Sequence, residues 1–112
     1  MDRNEKKRMR EHISEHIDVS NARLTDDEAQ FLSDFVDGYD EYRGKSETRT
    51  SSHTGWSSDG KYTRVETTTD TFTDDIGIRI NNSYKDDDGQ SGESSTEVKD
   101  ARGILNWFKD RR

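Results

Sequence analysis

The sequence predicts an α+β protein with two N-terminal helices, a four-stranded antiparallel β-meander, and a C-terminal helix packed on one sheet face. Apolar residues recur every three or four positions near both ends of the chain, which is typical of amphipathic helices. Between them, Ser and Thr fill 14 of the 31 positions from 45 to 75, and a later segment alternates apolar and polar residues. Helices and strands are therefore segregated along one α+β domain spanning residues 1–112.

The first helix is predicted from residue 2 to 17. Met9, Ile13 and Ile17 repeat every fourth position and form one narrow apolar stripe in a charged segment. Because so thin a stripe buries little surface, we expect residues 1–19 to form a loosely packed charged arm.

The second helix is predicted near residues 26 to 43. Thr25-Asp26-Asp27-Glu28 has the spacing of a capping box, in which the threonine hydroxyl and the glutamate carboxylate each accept a backbone N–H. Gly44 stands where a left-handed helix terminator is expected.

Four strands are predicted between the helices. Threonine favours extended backbone, and Asp59-Gly60 is a strong hairpin signal between strands at 45–56 and 61–73. Residues 76–84 alternate Ile76, Ile78 and Ile80 with polar positions, and a short fourth strand covers 94–99.

Asp100 is predicted to cap the C-terminal helix. Its apolar residues follow the spacing of a packed face, with Trp107 on the flank. The expected inner layer comprises Leu32, Phe35, Val36, Val65, Ile76, Ile78, Ile80, Val98, Ile104, Leu105 and Phe108, with Tyr39 and Tyr62 at its edge.

The composition leaves little material for a core. Leu, Ile, Val and Phe together number 17 of 112 residues, about 15 %, and there is no cysteine to form a disulfide. We therefore expect a homo-oligomer or a partner to complete the fold. With no segment apolar enough to span a bilayer and no secretory signal, we expect a cytoplasmic protein with no membrane partner.

Motifs for cofactors are incomplete, so we expect no cofactor. Gly55 to Lys61 has the spacing of a phosphate-binding loop, but Tyr62 replaces the magnesium-binding hydroxyl and a strand pattern replaces the helix. A small phosphate-ligand or nucleotide binder stays open as an alternative on this segment.

Metal and enzyme motifs are incomplete in the same way. His12 and His16 can share one helix face with Glu11 or Glu15 nearby, but the order differs from the metalloprotease motif and no third ligand is identifiable elsewhere. We expect no metal site, no catalytic residues and no enzymatic activity.

Carboxylates on the second strand form the clearest surface pattern. Glu66 and Asp70 point to one face, and Asp74 and Asp75 follow, giving an acidic row that either imitates phosphates or prevents edge-to-edge aggregation. Tryptophan is enriched at binding hot spots. The candidate partner-binding residues are Trp56, Glu66, Asp70, Asp74, Asp75 and Trp107.

These observations predict a small acidic protein-binding module. It is a regulator or inhibitor that covers a basic, nucleic-acid-binding surface of a protein partner, of the kind that viruses encode against host defence systems. Direct nucleic-acid binding is not expected, because no aromatic residue is interleaved with the basic N-terminal residues. The alternative is a structural or assembly protein that homo-oligomerises through exposed Thr-rich strands.

Overall fold

A computed structural model describes residues 2–20, 22–58 and 60–111 of the chain. Its helices are α1 (Arg3–Ser14), α2 (Asp26–Asp37) and α3 (Ala101–Lys109), with a single 3₁₀ turn at Tyr39–Glu41. Its strands are β1 (Ser46–Ser57), β2 (Gly60–Phe72), β3 (Ile78–Asp86) and β4 (Ser91–Val98). The predicted α+β class, element order and antiparallel meander are confirmed.

The capping box of α2 forms as its sequence predicts. Thr25 Oγ1 accepts from the Glu28 backbone N–H, and the Glu28 carboxylate accepts from the Thr25 N–H at 3.0 Å. The helix ends at Asp37, before the predicted residue 43, and a 3₁₀ turn follows Gly38.

The four strands pair in sequence order with a regular register. Ser46 to Ser57 pair with Thr71 to Gly60, and each later pair of strands is equally free of bulges. Gly60 has φ 113°, which suits the β1–β2 turn. Asp59, the other residue of the predicted turn signal, lies outside the described residues.

The hydrophobic core lies among the helices and the base of the sheet. The segment between α1 and α2 contributes four buried apolar residues, as many as α2 does: Ile17, Val19, Ala22 and Leu24. Ile13 is fully buried as well. Residues 1–19 were expected to form a loosely packed arm, but Ile13, Ile17 and Val19 within this range belong to the core.

Helices cover only the base of the sheet. Phe72 packs against Phe35, Trp107 and Phe108, and Ile78 is fully buried, whereas Ile76 and Ile80 are half-buried. Val65 was expected in the inner layer, but it lies beyond the helices and is exposed.

The molecule is elongated as a consequence. It measures 63 × 24 × 22 Å with a radius of gyration of 18.5 Å, against about 13 Å for a compact domain of this length. A strand of 13 residues spans about 43 Å, which is longer than the helical layer that covers it. Among the described residues no helix is long and apolar enough to cross a membrane.

Candidate partner-binding surface

The sheet extends past the helices as a single layer. We call this part the distal sheet; it comprises residues 50–57 of β1, 60–67 of β2, 83–86 of β3 and 91–93 of β4. Asp70 and Phe72 face the helices, so the even-numbered residues of β2 define the helix-side face. The odd-numbered residues define the opposite, open face.

The open face of the distal sheet is rich in short hydroxyl side chains. Register places twelve residues on it, of which seven are Ser or Thr and only Lys61, Lys85 and Glu93 are charged. The pattern continues toward the base, where Thr48 and Thr69 lie opposite each other with their hydroxyl oxygens 3.2 Å apart. The face is therefore polar but close to neutral.

Two large apolar side chains interrupt this polar face. Trp56 is 79 % exposed and Val65 is 41 % exposed, and they are the exposed large hydrophobic residues of the described chain. Trp56 pairs with Lys61, and Ser52 pairs with Val65, so both apolar side chains point to the open face. No other part of the described chain covers them.

A shallow trough runs across the open face beside Val65. Its volume is about 720 Å³, and its walls include Thr63, Thr67, Ser83, Lys85 and Glu93. An apolar side chain, Val65, surrounded by hydroxyls and by charges of both signs is an arrangement typical of interface surfaces.

On the helix-side face of the distal sheet, an ion pair of Arg64 and Asp86 lies between two tyrosine rings. Arg64 Nε donates to Asp86 Oδ1 at 2.6 Å and Nη2 donates to Oδ2 at 3.1 Å. The guanidinium lies 4.5 Å from the Tyr84 ring centroid and 5.7 Å from that of Tyr62. This hydrogen bonding lowers the pKa of Asp86 below its usual value and raises that of Arg64.

Both tyrosines cover strand glycines. A Cβ on Gly55 would lie 2.6 Å from the Tyr62 hydroxyl oxygen, and one on Gly92 would lie 2.4 Å from the Tyr84 ring. Glycine at each position lets the ring lie flat on the neighbouring strand. The Tyr–Arg–Tyr stack thus stabilises a sheet that has no second layer.

Asp70 forms a second buried polar cluster, at the base. Its side chain is 1 % exposed, and its Oδ2 accepts from Trp107 Nε1 and Arg49 Nη2 at 3.1 Å each, and from Arg111 Nη2. The Arg111 guanidinium lies 3.7 Å from the Trp107 ring centroid. Asp70 therefore links the sheet to α3.

Two of the six predicted candidates are consequently absent from the surface. Asp70 is enclosed by its cation partners, and Trp107 is 9 % exposed with its indole N–H bonded to that carboxylate. The predicted acidic row is interrupted, because the carboxylate in its middle is buried and paired. Trp107 belongs to the core rather than to a helix flank available for contact.

The other four candidates are exposed at separate places. Trp56 is at the hairpin tip on the open face, whereas Glu66 is on the helix-side face. Asp74 and Asp75 lie in the loop that joins β2 to β3 at the base.

The acidic character of the chain is concentrated on α2 and the turn after it. Seven carboxylates and no Lys or Arg occur between residues 26 and 41. Several are paired, as in Glu28 with Arg102 at 2.9 Å and Asp40 with Arg43.

The phosphate-loop spacing at Gly55–Lys61 falls in the β1–β2 hairpin, where strand β2 follows the lysine in place of a helix.

Val65 and the Tyr62–Arg64–Tyr84 stack were not identified from the sequence. An isolated Val among Thr residues is typical of a buried strand position. Only the structure shows that the sheet is longer than the helices and that Val65 lies in the part they do not cover. The glycines opposite both tyrosines were the available signal for the stack, since Gly is uncommon inside strands.

Searches of protein-family models, curated proteins and solved structures found no match to this chain.

Proposed function

We propose that the protein is a protein-binding module whose contact surface is the open face of the distal sheet. The observation that carries the proposal is the placement of Trp56 and Val65, 79 % and 41 % exposed, on one uncovered sheet face. Sheets in soluble domains normally bury at least one face against another layer. A partner that covers the open face provides that second layer.

The surface chemistry favours a protein over a small ligand. The trough is open along the sheet and is lined by hydroxyls and Val65 rather than enclosed as a pocket, and the exposed indole of Trp56 lies on the same face outside it. Tryptophan at the rim of a polar surface is the residue type most enriched among interface hot spots. Short Ser and Thr side chains also lose little rotamer entropy when they are covered.

The test compares binding by variants of the two faces. Trp56→Ala combined with Val65→Thr removes the apolar contacts while keeping the β-branched shape at position 65. Ser51→Ala is the matched control, because Ser51 is exposed on the helix-side face of the same strand. We expect proteins retained from a native extract by wild type and by the control to be lost, by at least about tenfold, with the double variant. Equal retention by all three forms would contradict the proposal.

An electrostatic version of the module makes a different prediction. If an acidic surface covers a basic, nucleic-acid-binding partner, binding weakens steeply with salt. Asp70 is buried, so the charge reversals that test this version are Glu66→Lys, Asp74→Lys and Asp75→Lys. Binding that is insensitive to salt and to all three reversals, but lost with the Trp56 and Val65 changes, favours the neutral open face.

The second candidate is self-assembly through β1. This strand lies at the sheet edge, and eleven of its twelve residues are exposed. Between Arg49 and His53 it carries no charge that would oppose pairing with a copy of itself. Sedimentation velocity from 1 to 100 µM distinguishes the candidates, because strand addition gives a concentration-dependent dimer that a charged substitution, Ser51→Lys, weakens.

A further inference from the structure

Three metal-binding side chains meet at the C-terminal end of α1. His12, Glu15 and His16 each offer one ligand atom, and these atoms lie within 4.8 Å of one another. The two imidazole rings are 5.8 Å apart and inclined at 78°, so they do not stack against each other. Two imidazoles and a carboxylate are a common ligand set for catalytic and regulatory zinc.

The backbone that presents these side chains is fixed by the core. The Ile17 N–H donates to the Ile13 carbonyl at 2.9 Å, which extends the helical path past His16. Ile13 and Ile17 are both buried, at 0 % and 2 % exposure. They anchor the turns that carry the histidines, so bringing three ligands together requires little further ordering of the backbone.

Helix α2 supplies an outer-shell partner. Asp37 Oδ1 lies 2.7 Å from His12 Nε2. A carboxylate accepts, so Nε2 carries the proton and the lone pair of the imidazole is on Nδ1. A carboxylate that orients a ligating histidine in this way is the usual second shell of protein metal sites.

We propose that His12, Glu15 and His16 bind one divalent transition-metal ion of the Zn²⁺ class, with Asp37 orienting His12. Imidazole nitrogen and one carboxylate favour Zn²⁺, Ni²⁺ and Cu²⁺ over Mg²⁺ and Ca²⁺, which prefer sets made entirely of oxygen. The sequence alone predicted no metal site, because two histidines at helical spacing did not decide between Glu11 and Glu15 and gave no indication of Asp37. All three ligands lie on α1 and the two residues that follow it, and Asp37 lies on α2, so this site shares no residue with the proposed binding face.

The primary test is calorimetric titration of Zn²⁺ into untagged protein at pH 7.5. We expect one ion per chain, and a loss of affinity of at least about tenfold in His16→Ala. His53→Ala is the matched control, because His53 is the remaining histidine and lies in β1. Its affinity should equal that of wild type. His12 and His16 are not buried, so far-UV circular dichroism of the ligand variants should match wild type.

Two further measurements separate a built site from general surface binding. Asp37→Asn should weaken Zn²⁺ binding by about tenfold although it removes no ligand. Zn²⁺ should raise the melting temperature of wild type and His53→Ala but not of His16→Ala, and Mg²⁺ should raise none of them. No Zn²⁺ binding by wild type, or equal binding by wild type and His16→Ala, overturns the proposal.

Discussion

At the scale of single residues, buried charge is what joins the sheet to the last helix. Asp70 is the most buried charged residue at the base, and its carboxylate is shared by Arg49, Trp107 and Arg111. Removing the carboxylate leaves the buried Trp107 N–H without its acceptor and takes one partner from Arg111, whose side chain is 18 % exposed.

Asp70→Ala should therefore lower the free energy of unfolding by about 3 kcal/mol, because the Trp107 N–H and the partly buried Arg111 guanidinium lose the carboxylate that they share. Glu66→Ala provides the control, since Glu66 is on the same strand and face but is exposed. Its effect should stay within about 0.5 kcal/mol. Urea unfolding followed by circular dichroism measures both. Similar effects for the two variants would show that the Asp70 cluster contributes no more than an exposed charge.

The Arg64–Asp86 pair predicts how the distal sheet responds to acid. The pKa of Asp86 is lowered in the folded state, chiefly by its hydrogen bonds from Arg64. The contribution of the pair is therefore complete above the unfolded pKa of about 3.9, and is lost as the pH falls through the lower folded value.

We expect the stability difference between wild type and Asp86→Asn to be constant from pH 7 to about pH 5 and to shrink below about pH 4. Amide signals of β2 and β3 followed by NMR during acid titration report this part of the molecule directly. A difference that shrinks between pH 7 and pH 6 would point to a group other than Asp86.

At the scale of secondary-structure elements, the segment between α1 and α2 is unusual because it buries four apolar side chains without forming a helix or strand. Buried loops leave backbone polar groups in need of partners. Arg10 on α1 provides them, since its guanidinium donates to the Val19 carbonyl at 2.8 Å and to the Ala22 carbonyl at 2.9 Å. The Asp18 carbonyl is satisfied by the Ala101 N–H at 2.8 Å, which connects the segment to α3.

Arg10→Met should cost about 1 to 2 kcal/mol of folding free energy. The substitution keeps an apolar stem but removes the donor of the Ala22 carbonyl and leaves the Val19 carbonyl with only the Ala22 N–H, at 3.2 Å. Arg8→Met is the control, because Arg8 is exposed on the same helix, and its effect should be close to zero. Thermal unfolding of both variants measures the difference, and equal melting temperatures would indicate that water replaces the guanidinium without cost.

At the scale of the whole molecule, stability is expected to be uneven from base to tip. The base holds the aromatic cluster around Phe35 and Phe72 together with the buried helices. The described residues of the distal sheet are held chiefly by ladder hydrogen bonds and by the Tyr–Arg–Tyr stack. Regions with few buried apolar contacts open at lower free energy than the global transition.

Native-state hydrogen exchange should accordingly show amides of Phe72 and Ile78 among the slowest, and paired amides of the distal sheet opening at clearly lower free energy. Arg64→Met should accelerate exchange in the distal sheet while leaving the base unchanged, because it removes the stack without touching the core. Uniform protection along β2 in dilute, monomeric protein would show that the distal sheet needs no further layer for its stability.

Much of the fold could be predicted from local sequence. The capping box at Thr25, the helical spacing of Ile104 and Phe108, and the alternation of Ile76, Ile78 and Ile80 are each read within a few residues. They place elements correctly because helix and strand periods are properties of the neighbouring chain. Boundaries moved by a few residues, and α2 ended early at Gly38.

The candidate surface was predicted less well. Trp56 was identified correctly as exposed, whereas Val65 was assigned to the core, and Asp70 and Trp107 were assigned to the surface. Periodicity gives the face on which a side chain lies, but not how far along that face the covering helices extend.

By itself, then, the sequence determined the kinds of elements, their order and the antiparallel meander, because these depend on contacts between neighbours in the chain. Tertiary structure decided which half of the sheet is covered, and it brought Asp70 to Arg111, 41 positions away, and Asp37 to His12, 25 positions away. Such meetings depend on the relative lengths and packing of whole elements. No local pattern encodes these contacts. They determine that Asp70 is buried in a cluster, whereas Trp56 and Val65 stay on the surface available to a partner.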